Sequence, residues 1–261
     1  MELTLKNCRF EIDENGVATL TIDREDVRNA LDLDTWNDLD RFIEYADTEP
    51  SIRAVVITGA GQKSFAAGAD IRMMKVKKPL DVMNGRAQRI LDKFEKCSKA
   101  IVAAVNGFAF GGGFELALAC DIRIVAQNAK FGLPEAGLGL LPGVGGTQRL
   151  TRVVGIGRAK EIILAGRVIS GEEAVSMGVA YRCVPYDELL AEAKKCATEI
   201  ARKGPVAVRL AKQAIRAAMS ADQESGMLIE LLSLSVLCGT EDKDEGVQAF
   251  LEKRAPNFTG K

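Results

Sequence analysis

The chain has 261 residues, 47% hydrophobic and 27% charged, with 35 Lys+Arg against 36 Asp+Glu and a formal net charge of −1. That is the make-up of a globular chain long enough to bury roughly three quarters of its unfolded surface in a large core. The near-balance of charge excludes a global field for nucleic acid or a membrane surface, and no apolar run reaches the length needed to span a bilayer.

Strand signals come first. Arg9–Ile12 and Val17–Ile22 (VATLTI) flank Glu14-Asn15-Gly16 and read as a hairpin. Asp23–Leu31 (DREDVRNAL) is a polar loop. Leu33–Ala46 places Trp36, Leu39, Phe42, Ile43 and Ala46 at helical spacing, with Asp34 expected at the N-cap and Trp36 in the core. Ala54–Thr58 (AVVIT) is a buried strand ending at Gly59. Gly59–Ile71 (GAGQKSFAAGADI) is a loop of small residues, either a plain connector or a place where a ligand can reach free backbone N–H groups. Arg72–Lys78 is basic and is broken by Pro79. Met83–Cys97 is a further helix.

Ala100–Val105 (AIVAAV) is a short apolar run stopped by Asn106-Gly107, as a buried strand would be. Phe114–Cys120 (FELALAC) is a helix apolar on nearly every side, which places it in the interior. Asp121–Ala126 is the next strand, and Leu140–Gly146 (LLPGVGG) is a loop entering a helix near Thr147. Ala159–Leu164 and Gly171–Met177 are short helices around Gly166, and Ala180–Val184 is a strand. From Tyr186 onward the pattern is helical, in the segments Asp187–Arg202, Pro205–Met219, Asp222–Cys238 and Lys243–Lys253. An α/β core over 1–200 is thus followed by a helical region over 201–261. In that region Leu228, Ile229, Leu231, Leu232, Leu234, Val236 and Leu237 occupy more than one helix face. A single packing face does not need so many, and the surplus points to a second subunit.

Two glutamates stand out in the middle of the chain. Glu115 lies on the apolar helix, just after Gly111-Gly112-Gly113, and a buried carboxylate must be paired, hydrogen-bonded or protonated. Taken alone, Glu115 reads as a first-turn acid that complements the helix dipole. Glu135, in FGLPEAGLG, would alone be a solvated loop residue. Together, flanking one glycine-rich turn, they read as an acid/base pair. The chain has no histidine, so a Ser-His-Asp or Cys-His triad and an imidazole-ligated metal are both ruled out. Proton chemistry near neutral pH would then fall to carboxylates with shifted proton affinity. The six cysteines (Cys8, Cys97, Cys120, Cys183, Cys196, Cys238) show no CxxC spacing, which indicates neither a zinc site nor a disulfide framework. The start MELTLKNCRFEIDENG is neither a signal peptide nor a transit sequence, and the expected location is a reducing cytoplasm.

Three segments, SFAAGADI (Ser64–Ile71), AAVNGFAFGGGFELALACDIRIV (Ala103–Val125) and FGLPEAGLGLLPGVGGTQRL (Phe131–Leu150), resemble the signatures of the crotonase, or enoyl-CoA hydratase/isomerase, family. The resemblance runs from the first hairpin to AFLEKR (Ala249–Arg254). It implies a crotonase-like α/β spiral of ββα turns with a C-terminal helical trimerisation region, assembled as a trimer or a dimer of trimers. It also implies an oxyanion hole made by the backbone N–H groups of Ala69 and Gly112, which would hold the thioester carbonyl of an acyl-CoA. A Cβ at position 112 would obstruct that approach. With glutamate at both matching positions, the implied reaction is hydration of a 2-enoyl-CoA in fatty acid or related acyl-CoA metabolism. Glu135 would give a proton to C2 and Glu115 would activate the water that attacks C3.

Further CoA or substrate contacts implied by the resemblance are Val27, Arg28, Ala67, Asp70, Ile71, Phe250 and Lys253, the last two often reaching across a subunit boundary. Glu25 departs from the family's frequent proline in the first loop, and Leu133 replaces a glutamine common in short-chain hydratases. No cofactor or metal is implied, since CoA is part of the substrate. Nucleic acid and membrane are not expected partners. Two alternatives stay open: a methylglutaconyl-CoA-type hydratase or other acyl-CoA lyase or isomerase of the family, and a non-catalytic acyl-CoA- or RNA-binding member. Near-zero net charge and the lack of an aromatic-basic patch count against RNA.

Overall fold

Parallel strands need long crossovers, and this chain supplies a helical one after each pair of strands. The computed structural model describes residues 3–70 and 75–261. One sheet has six strands in the order β1 (Cys8–Ile12), β2 (Val17–Ile22), β3 (Ala54–Gly59), β5 (Ala100–Val105), β7 (Ile122–Ala126) and β10 (Arg182–Val184). A second has four, in the order β4 (Ser64–Ala66), β6 (Phe108–Phe110), β8 (Lys130–Gly132) and β9 (Ile169–Ser170). After the opening hairpin and helix α1 (Leu33–Thr48), each turn of chain lays one strand in the first sheet and the next in the second, then returns through helix. The turns are β3-β4 with α2 (Pro79–Met83) and α3 (Arg86–Lys96), β5-β6 with α4 (Gly112–Ala119), and β7-β8 with a 3₁₀ turn (Pro134–Leu138) and α5 (Gly146–Leu164). From β3 to β8 the two strand orders advance in step with every pairing parallel, while β1–β2 and β8–β9 pair antiparallel, so the chain winds as the spiral of ββα turns that the family resemblance implies.

The central strands of the larger sheet are buried on both faces, which is why β3 and β5 read as unbroken apolar runs. Alternation sorts them between two clusters. Ile101, Ala103 and Val105 of β5 face the main core with Val55 and Ile57 of β3. Val102 and Ala104, with Ala54 and Val56, face the opposite side. There they meet Leu189, Ala193, Ala197 and Ala201, a stripe at four-residue spacing along α7 (Tyr186–Ala201).

Several expectations change. The cap of α1 is Asp32, not Asp34: its side chain accepts from the Thr35 amide. Pro79 does not end an element but starts α2, where a first-turn proline lacks only an N–H that would have no partner anyway. The helix expected over Met83–Cys97 is split, because Gly85 takes a left-handed conformation (φ +59°) between α2 and α3. The helix expected over Ala159–Leu164 begins earlier, just after Gly155, whose non-helical backbone (φ +79°, ψ 160°) divides α5 into two helical segments. Trp36 is half-buried rather than core. The second sheet went unread because most of its strands have three residues, too few for any period to show.

After α6 (Gly171–Ser176) and α7 come α8 (Pro205–Ala217), α9 (Gln223–Cys238) and α10 (Glu241–Glu252). Lys212 ties α8 to the core: its Nζ donates to the Phe94 and Lys99 carbonyls at 3.2 and 3.0 Å and to Asp121 Oδ2 at 2.7 Å. The tail returns onto α10, where the Asp242 carboxylate accepts from the Thr259 and Gly260 amides. No residue of α9 is buried. No helix among the described residues is long and apolar enough to cross a membrane.

Candidate active site

Helix α4 is buried along its whole length, and Glu115 sits in its first turn at 1% exposure. Its anionic form is held by backbone donors: Oε1 accepts from the Val144 and Gly146 amides, each at 2.7 Å. Both donors come from the loop that opens α5. Burial nevertheless raises the proton affinity of Glu115 above the ordinary glutamate range, and the neighbouring Glu135 raises it further. The two amides and Arg149 oppose the rise.

Glu135 reaches the same place from the 3₁₀ turn. A Cβ on Gly111 would stand 2.8 Å from Glu135 Oε1, so this carboxyl group lies directly against the turn that opens α4. Gly111 takes φ +50°, ψ −126°, a conformation that only glycine adopts readily. Glu135 Oε2 is buried without a hydrogen-bond partner among the described residues. Burial raises the proton affinity of Glu135 as well, which fits an oxygen that finds no donor.

The amides of Ala69 and Gly112 are brought together next to this pair. The Cβ direction of Gly112 points into a space bounded by Leu31 at 3.5 Å, Trp36 at 3.7 Å and the Ala69 amide nitrogen at 3.9 Å. A methyl group there would clash with no protein atom; it would fill the space beside the two amides. Neither amide donates to a backbone acceptor among the described residues. Close packing falls instead on Gly113, where a Cβ would lie 2.0 Å from the Ala66 carbonyl and would push α4 away from β4.

The remaining expected contacts divide into two groups. The Arg28 carbonyl accepts from the Ala67 amide at 3.1 Å, and the Leu31 amide donates to Gly68 at 2.8 Å, so the loops of Val27-Arg28 and Ala67-Ala69 form one wall. Val27, Ala67 and Asp70 are half-buried, and Arg28 and Ala69 are exposed. Glu25 does not disturb this wall: it opens a 3₁₀ turn, and Arg28 closes that turn at φ +55°. Ile71 lies outside the described residues. Phe250 on α10 and Lys253, which caps the end of that helix, are exposed, and no hydrogen bond or ion pair joins either side chain to these loops among the described residues.

Sequence reasoning missed the residues that hold the wall in place. Asn29 Nδ2 donates to the Ala60 and Ser64 carbonyls at 3.0 and 2.7 Å, and its Oδ1 accepts from the Arg24 amide. Asn106 Nδ2 donates to the Gly59 and Gly61 carbonyls at 2.9 and 2.7 Å. These two buried amides satisfy carbonyls from the end of β3, through the connection that follows, to the start of β4. Asn106 looked like an ordinary turn residue before Gly107. Its signal was only that a polar side chain followed a strand buried on both faces.

Comparisons with known proteins agree along the chain. A family model described as enoyl-CoA hydratase/isomerase matches residues 12–261. A crotonyl-CoA hydratase of Syntrophomonas wolfei is 44% identical over 250 residues, covering 95% of this chain and 96% of that protein. A short-chain-enoyl-CoA hydratase of Clostridium acetobutylicum is 43% identical over 246 residues, covering 92% and 93%. The crystal structure of an enoyl-CoA hydratase from Bacillus anthracis superposes with a TM-score of 0.94 at 39% identity, covering 98% of this chain and all of that one.

Proposed function

The chain belongs to the enoyl-CoA hydratase/isomerase family, and from that premise we propose that it is an enoyl-CoA hydratase, a hydro-lyase that converts a 2-enoyl-CoA thioester into the 3-hydroxyacyl-CoA. The observation that carries the reading is the meeting of two glutamates of raised proton affinity at one glycine turn, beside two backbone amides without a backbone acceptor.

The amides of Ala69 and Gly112 hold the thioester oxygen and stabilise the negative charge that grows there as the enolate forms. Two donors anchor one oxygen of Glu115, and its other oxygen receives the attacking water. Water oxygen bonds to C3 and its proton passes to Glu115, while the π pair of the double bond takes the proton of Glu135 at C2. Glu115 ends protonated and Glu135 ionised, and a proton passed between them through the next water restores the pair. Two neighbouring carboxyl groups that favour sharing one proton suit this exchange.

CoA lies along the wall of Val27, Arg28, Ala67 and Asp70, with Ile71 a further contact implied by the family resemblance and Phe250 and Lys253 supplied by a neighbouring subunit. The assembly is a homotrimer or a dimer of trimers, built on the exposed apolar residues of α9. No metal or added nucleotide cofactor is needed beyond the CoA of the substrate, and the enzyme works in the cytoplasm. The test is hydration of crotonyl-CoA by EDTA-treated protein, followed by loss of the conjugated thioester absorbance. Longer, branched and dicarboxylic enoyl-CoA thioesters complete the panel. If none is consumed, the hydratase reading is wrong.

A further inference from the structure

We propose that Arg149 is a positioning residue for Glu115, acting through the peptide of Val144 and resting on the hydratase reading above. Arg149 stands near the start of α5, and its side chain is only 12% exposed. Its guanidinium makes a two-pronged contact with Glu95 of α3, Nε to Oε1 at 2.8 Å and Nη2 to Oε2 at 3.0 Å. Nη2 also reaches Asp92 at 3.2 Å. The third prong, Nη1, donates to the Val144 carbonyl at 2.7 Å. The amide of that same residue donates to Glu115 Oε1, as does the amide of Gly146.

Arginine is the side chain that fits this place. It carries five donors in a rigid plane, so one group can face two carboxylates on one edge and a carbonyl on the other. Gly145 leaves room for it. A Cβ there would lie 2.0 Å from Nη1, and the residue takes φ +105°. The loop of 144–146 is therefore shaped around the guanidinium, and its shape aims two amides at one oxygen of Glu115. The other oxygen takes no hydrogen bond from the described residues, which leaves it to meet the water. Without the guanidinium the loop would have no side chain holding its Val144 carbonyl, and the Glu115 carboxylate would be free to rotate.

The test compares Arg149→Gln, Arg149→Lys and Glu95→Gln with the wild-type enzyme in two reactions. Hydration needs Glu115 placed for water. Exchange of the C2 proton of a saturated acyl-CoA needs the oxyanion hole and Glu135. Misplacement of a reacting group by about an ångström can cost ~100-fold, so Arg149→Gln is expected to lower kcat for hydration by roughly that factor while KM and C2 exchange change little. Arg149→Lys keeps the charge but not the fork and should restore only part of the loss. Glu95→Gln should show a smaller loss of the same kind, and it decides the matter if Arg149→Gln fails to fold. Equal loss of hydration and C2 exchange, or a rise in KM with unchanged kcat, overturns the proposal. Full hydration by Glu95→Gln and Arg149→Gln overturns it too and leaves the hydratase reading standing. That reading fails separately, if the wild-type enzyme hydrates no enoyl-CoA.

Discussion

Helices α4 and α9 are similar in make-up and opposite in surroundings. The first, GGFELALA, carries one charge, and the second, QESGMLIELLSLSVLC, carries two. Every residue of α4 is buried, and none of α9 is. Leu231, Leu234 and Met227 of α9 are 64%, 58% and 62% exposed, far beyond what scattered surface residues explain. A helix apolar all round must be covered, but its sequence does not say by what. The fold of one chain covers α4. For α9 the cover proposed is another copy of the chain. The one charge of α4, Glu115, is retained at a cost in desolvation, and that cost marks it as a functional group rather than a packing one.

Exchanging the charge of α4 for a neutral isostere should have the largest effect. Loss of a general acid or base costs roughly 10²- to 10⁴-fold, so Glu115→Gln and Glu135→Gln should each lose at least that much hydration. The losses should not add, because both groups act on one water. C2 exchange should depend on Glu135 more than on Glu115. If Glu115→Gln abolishes exchange while Glu135→Gln spares it, the two roles are reversed.

Packing gives the next contrast. Phe114 of α4 is fully buried, with its ring centroid 5.1 Å from that of Phe131, and Phe114→Ala should destabilise by about 3–5 kcal/mol at any protein concentration. Leu231→Asp should change monomer stability by only about 0.5 kcal/mol. It should nevertheless reduce the mass seen by light scattering. A monomer in the unsubstituted protein at micromolar concentration would break the comparison.

At the CoA end, Lys253→Ala removes an exposed charge, and such contacts contribute about 1 kcal/mol or less. KM for the thioester should rise by about fivefold or less with kcat unchanged. An unchanged KM would return Lys253 to an ordinary solvated charge.

The smallest effect is on thermal stability. The proton affinity of Glu115 is raised on folding, so its contribution to stability is full below the ordinary glutamate range and is lost as pH rises through the folded value. A glutamine at 115 can still accept from the Val144 and Gly146 amides and has no charge to bury. The melting temperature of Glu115→Gln relative to the wild type should therefore increase from pH 4 toward neutrality. A constant difference across that range would mean that the carboxylate is already fully compensated.

Much of this was legible from residues alone. The short runs AVVIT and AIVAAV announced buried strands, and the structure buries them on both faces, because a parallel sheet between two layers needs apolar side chains at every position. The stretch FELALAC, apolar on nearly every side, announced a buried helix, and a buried glutamate with a second one nearby announced shared proton chemistry. What stayed hidden involves contacts between segments far apart in the chain. Asn29 and Ser64 are joined at a separation of 35 residues, Asn106 and Gly59 at 47, and Arg149 and Glu95 at 54. Periodicity and capping are local signals and carry no information at such distances. The sequence by itself determined which segments must be buried and which groups would be costly to bury. Only the tertiary structure decided where they meet, because the hydrogen bonds that aim Glu115, seat Glu135 against Gly111 and set Ala69 beside Gly112 all depend on loops whose shape is fixed by distant partners.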